Sequence, residues 1–214
     1  TDPCPNGQDY VDCMAQDIIA LMDQMGAKTA VLTSNNMSST FAYRLGGLIG
    51  DRLSRIVITS TLIPAPFMDG DTTRSPWARA LMRAVQKAPG MYKIIIHSAI
   101  KAWKVMGSRR MYLMQLKGFP PDVEAGRQPD AVEAYDLAMN TTLSLGTEYA
   151  VISFDYASRD WSGWIEDCSV PIDLVQGRHD PSSSFTSVEA FANRHPDKIT
   201  LHEIPDGGYL TYLT

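Results

Sequence analysis

The chain offers no paired-cysteine framework, no long apolar run and no basic cluster, and each lack narrows what it can do. Its three cysteines, Cys4, Cys13 and Cys168, form no paired framework and no CxxC spacing. Read as ordinary thiols, they fit a reducing compartment and argue against a zinc site, so neither metal nor cofactor is expected. No apolar stretch reaches the roughly 18 residues that a membrane-spanning helix needs, and no signal peptide opens the chain. A cytoplasmic location away from membranes follows. With a net charge of -5, the segment lacks the clustered Lys and Arg that phosphate binding requires, so it is not expected to bind nucleic acid itself. Its nearest basic grouping, Lys101, Lys104, Arg109 and Arg110, reads as a solvated helix face. Repeats and low-complexity tracts are missing too.

What is present suits one globular domain: 214 residues, of which 44% are hydrophobic and 20% charged, enough to bury a sizeable core. The stretch 10–26 places Val11, Met14, Ile18, Leu21, Met22 and Met25 at helical spacing, with Gly26 at the helix's end. Residues 28–33, "KTAVLT", are continuously apolar at their centre and predict a strand buried on both faces. A helix over about 36–49 follows, then a β-branched strand over 53–64 closed by Pro64 and Pro66. Strand, helix, strand with short connections is a βαβ unit, and hence a parallel sheet with a right-handed crossover.

From about 67 to 165 the pattern changes to helices rich in Met, Trp and Tyr, read as an insertion that caps the sheet. Sheet patterning resumes with a strand and turn at 170–180, a helix at about 182–194 and a last strand and glycine turn at 198–208. The division expected is core over 1–64, helical lid over 65–168 and core again over 169–214.

Where the first strand meets its helix the sequence reads "LTSNNMSST" (32–40). A sharp strand-to-helix elbow needs small residues two before and two after its centre, and Ser34 and Ser38 supply them around Asn36. With the acid-loop stretch "VPIDLVQGRHD" and the closing "LHEIPDGGYL", the chain resembles the α/β-hydrolase fold, in its lidded esterase and C–C hydrolase-like branch. That resemblance covers nearly the whole chain. It puts Asn36 at the nucleophile position, Asp180 at the acid position and Tyr209 at the histidine position, and gives the Met37 backbone N–H as an oxyanion donor. It also implies that only the last four strands of the usual sheet are visible. A preceding segment with the neighbouring strand and a final helix beyond Thr214 are expected outside this numbering, and the missing initiator Met agrees with that.

The triad mechanism requires an ionisable oxygen nucleophile, an imidazole and an orienting carboxylate. Asn36 is a carboxamide, and Tyr209 is a phenol whose ordinary pKa is ~10. Losing the nucleophile or base costs on the order of 10⁶ in kcat in an unrelated serine protease. Two replacements favour natural loss over a single engineered inactivation. His179, His195 and His202 lie off the turn facing the elbow, and His97 sits among isoleucines. The leading expectation is therefore a catalytically impaired domain, a pseudoenzyme, that binds a small molecule under its lid. Trp77, Trp103, Met106 and Met111 are the expected apolar lining, and the sensor domain of a bacterial transcription regulator is the favoured form. An active hydrolase with a non-standard or mutated nucleophile and a protein-interaction scaffold are the alternatives. The expected partner is a small-molecule ligand, with a homodimer compatible with it.

Overall fold

A computed structural model describes residues 9–64, 94, 98, 101, 102, 105–107, 110, 133, 161–180 and 183–209. Helix α1 (Tyr10–Gln24) starts at Asp9, whose Oδ1 accepts from the Val11 N–H at 2.9 Å. It stops at Gly26, whose φ of +69° is the left-handed conformation that glycine adopts without cost. The Gly26 N–H bonds Asp23 O at 3.1 Å and the Ala27 N–H bonds Met22 O at 2.8 Å, a Schellman ending that satisfies two terminal carbonyls. Val11, Ala15 and Met22 are buried, while Leu21 and Met25 are exposed.

Strand β1 (Ala30–Asn35), a 3₁₀ turn (Asn36–Ser38), helix α2 (Ser39–Leu48) and strand β2 (Leu53–Thr59) complete the βαβ unit. Helix α3 (Gly163–Asp167), strand β3 (Ile172–Gly177), helix α4 (Phe185–Ala192) and strand β4 (Ile199–Ile204) follow. The described strands form one parallel sheet in the order β1-β2-β3-β4. This is the fold class the sequence implied.

Core packing explains why these segments meet. Ile56, Ile58, Ile172 and Leu174 project from neighbouring strands into one fully enclosed layer with Leu45, Val188 and Phe191 from α2 and α4. Above it, Tyr43 stacks on Trp161 with centroids 5.0 Å apart, and Phe191 meets both rings edge-on. Gly46 lets α3 approach α2: a Cβ there would collide with Cys168 Sγ and lie 2.8 Å from Ile56 Cδ1. Trp161, Ile165 and Cys168, at the end of the stretch expected as lid, are thus core residues. Most of 65–160 lies outside the described residues, Trp77, Trp103, Met111 and His97 included, and Met106 is a half-buried helical residue.

Two expectations change. Among the described residues strand β1 is covered on one face only, with Val31 54% exposed. Its apolar run reflects Leu32 and Ala30 packing on the core, while Val31 and Thr33 point to the opposite face. Nor are all three cysteines ordinary thiols. Cys13 is disulfide-bonded and Cys168 is a free, buried thiol, which leaves Cys4, outside the described residues, as the chain's remaining cysteine. The inference of a reducing compartment loses its basis.

Candidate functional site at the carboxyl ends of the strands

Each strand delivers one part of the site through the turn that ends it. At the end of β1, Asn36 has φ +48°, a left-handed conformation uncommon outside glycine and somewhat enriched in Asn. The elbow is braced locally. Ser38 Oγ donates to Asn35 O at 2.7 Å and accepts from the Asn35 N–H at 3.0 Å, and Ser39 Oγ donates to Asn36 O at 2.6 Å. Met37 sits in the 3₁₀ turn, where its carbonyl accepts from Thr40 Oγ1 at 3.0 Å.

At the end of β2, Ser60 also has a positive φ, +52°, and is fully buried. Backbone strain of this kind at two adjacent strand ends is characteristic of functional sites. Ser60 Oγ donates to the Tyr209 carbonyl at 2.8 Å, tying β2 to the turn after β4. Next to it, Gln176 at the end of β3 is completely enclosed, accepting from the Thr61 N–H at 3.1 Å and donating to Ser183 O at 3.2 Å. That amide ties the far end of the turn carrying Asp180, which is 3% exposed, to the segment that follows β2. Thr61 Oγ1 donates its one proton to Leu62 O at 2.8 Å, so the Tyr43 hydroxyl must donate to Thr61 at 2.9 Å. Burial pushes the Tyr43 phenol well above its ordinary pKa.

The turns after β3 and β4 touch directly. The His179 N–H bonds Gly207 O at 2.9 Å, and the Arg178 N–H bonds Ile204 O at 3.0 Å. Gly177 permits this, since a Cβ there would overlap the carbonyl oxygens of Gly207 and Gly208. Asp180 and Tyr209 therefore lie on contacting turns, and Tyr209 reaches the elbow. Its hydroxyl, however, bonds Asn35 rather than Asn36, donating to Asn35 Oδ1 at 3.3 Å. Asn35 is the site residue that sequence reasoning passed over. Asn35 pairs in register with Thr59, and period-two alternation turns it away from Ser34 and Asn36, which was a legible signal. The Ser34 hydroxyl is buried and makes no hydrogen bond among the described residues.

Among the described residues, no group of three or more His, Cys, Asp or Glu could hold a metal, and no helix is long and apolar enough to cross a membrane. A cleft of about 340 Å³, lined by Asp23, Gly26, Ala27, Lys28 and Arg52, lies at the opposite, amino-terminal ends of the strands. Arg52 staples the chain there, bonding Asp23 Oδ1 at 2.8 Å and the carbonyls of Ala27 and Lys28 at 3.0 Å. His195 packs edge-on against Phe191 and faces Glu166 at 3.3 Å, while His202 is exposed beside Asp173.

No protein-family model and no curated protein matches the sequence. Solved structures do. An esterase from Thermogutta terrifontis aligns over 97% of this chain and 68% of its own at 20% identity, with a TM-score of 0.59. A bromoperoxidase from Bacillus anthracis aligns over 100% and 72% at 14% identity, TM-score 0.61, and a Bacillus megaterium epoxide hydrolase over 98% and 72% at 14%, TM-score 0.55. A hydrolase from Oleispira antarctica is covered over 66% of its length. The chain thus has the α/β-hydrolase fold and spans about two thirds to seven tenths of these neighbours.

Proposed function

We propose that this chain is an α/β-hydrolase-fold domain whose triad has lost its chemistry and whose elbow now binds a small molecule beneath the lid. The observation that carries the reading is Asn36, which keeps the left-handed backbone of an elbow but places a carboxamide there. A carboxamide supplies no nucleophile, and Tyr209 brings a phenol where proton exchange needs imidazole. Trp77, Trp103, Met106 and Met111 are the lining residues of this reading, with Met as an adaptable wall. The sensor domain of a bacterial transcription regulator is the form favoured, by analogy with domains of this fold joined to DNA-binding regions.

The purified chain should hydrolyse p-nitrophenyl acetate and butyrate no faster than buffer does. Turnover by the unmodified chain would sink the reading. A second reading, an active hydrolase with a non-standard apparatus, draws support from neighbours described as an esterase and an epoxide hydrolase. It expects turnover from the unmodified chain, with Asn36→Ser/Tyr209→His raising it further.

A further inference from the structure

The cleft at the amino-terminal ends of the strands carries charges of both signs, and the structure shows which of their atoms are already used. At about 340 Å³ it has the size of a small-molecule site. Arg52 lines it with a guanidinium held in place: Nε donates to Lys28 O, and Nη2 donates to Ala27 O and to Asp23 Oδ1. That leaves Nη1, with two N–H donors, making no bond among the described residues. The exposed Lys28 ammonium likewise makes none among them. Asp23 uses Oδ1 alone, so Oδ2 stands as an acceptor. Asp23 also belongs to the last turn of α1, the end of a helix that favours positive charge. Gly26 adds no bulk, and even a Cβ there would meet no atom within 4 Å.

We propose that this cleft binds a small zwitterion, a carboxylate and an ammonium on one molecule as in an α-amino acid. Arg52 Nη1 and Lys28 Nζ take the carboxylate, while Asp23 Oδ2 and the end of α1 take the ammonium. A simple anion would meet the two cations but also Asp23 and the negative end of the helix. A simple cation would meet the same conflict reversed. A ligand of both signs satisfies both halves. The site lies at the opposite ends of the strands from the elbow and stands whether or not the elbow binds anything.

Matched probes test it: L-phenylalanine, 3-phenylpropanoate, which lacks the amine, and phenethylamine, which lacks the carboxylate. Each is titrated against the full chain by NMR chemical-shift perturbation. Phenylalanine should saturably shift the backbone amides of Gly26, Ala27, Lys28 and Arg52, and bind about fivefold more tightly than either single-charge probe, the worth of one exposed charge-assisted contact. Lys28→Gln changes an exposed side chain that holds nothing in place among the described residues, so the fold stays intact. It should weaken phenylalanine and 3-phenylpropanoate by about fivefold and leave phenethylamine unchanged. Absence of saturable phenylalanine binding, or shifts spread over exposed charges elsewhere, overturns the site. Equal or tighter binding of either single-charge probe overturns the zwitterion assignment, as does a Lys28→Gln chain that binds phenylalanine like the parent.

Discussion

Asn36 and Asn35 are chemically identical neighbours, yet the fold gives them different work. The first takes the left-handed turn and opens a tight 3₁₀ segment. The second lies on the other face of β1 and carries the bonds to Thr59 and Tyr209. Small-residue spacing made the elbow legible, but a residue's long-range partner is a property of register, which depends on how strands pair. Gly177 is the other decisive single position. Gly177→Ala should destabilise the chain by about 1–3 kcal/mol, because the new methyl meets two rigid backbone carbonyls rather than a side chain that can turn away. A urea denaturation midpoint unchanged from that of the parent would refute this.

Elements were read well where burial dictated their composition. Strands β2 and β3 came through because their alternate residues are enclosed, whereas "KTAVLT" suggested a strand covered on both faces and Val31 and Thr33 are exposed among the described residues. Polar ties across strands were not legible either. On the face away from α2 and α4, Asp173 of β3 is held by Arg55 of β2 and by His202 of β4, whose Nε2 lies 2.8 Å from Asp173 Oδ1. Burial pushes the Asp173 carboxyl up, but the bonds from His202 and Arg55 and their charges outweigh it and hold the group below its ordinary range. A depressed carboxylate stabilises the fold above its unfolded pKa and loses that contribution as pH falls through the lower, folded value. With both partners about half exposed, the tie contributes about 0.5–1 kcal/mol. Asp173→Asn should therefore lower stability by that amount at pH 7, with the deficit fading in acid. Denaturation curves showing a deficit equal at pH 7 and well below the carboxylate range would contradict it.

At the scale of the whole molecule, composition alone misjudged the cysteines, because a spacing rule cannot see a contact made by folding. The disulfide at Cys13 and the free Cys168 lead to a mass-spectrometric expectation. Alkylation in denaturant without reductant should label Cys168 and leave Cys13 unlabelled, and Cys13 should take the label after reduction. An alkylated Cys13 without reductant would restore the thiol reading. The fold itself was legible because a βαβ unit, a glycine turn and an acid loop recur in the right order. The lining residues were not testable in the same way, since Trp77, Trp103 and Met111 fall outside the described residues.

The pairing of β2 with β3 also bears on how the chain reaches its final state. The tie between Asn35 and Thr59 spans 24 positions, and that between Arg55 and Asp173 spans 118. Treated as flexible loops, the longer closure costs only about 1.4 kcal/mol more at equilibrium. Its cost falls chiefly on the rate, since distant pairings slow folding more than they weaken the product. The first βαβ unit should assemble early, with β3 and β4 joining it as the late step, so two of the four described strands wait for the others with the β2 edge open.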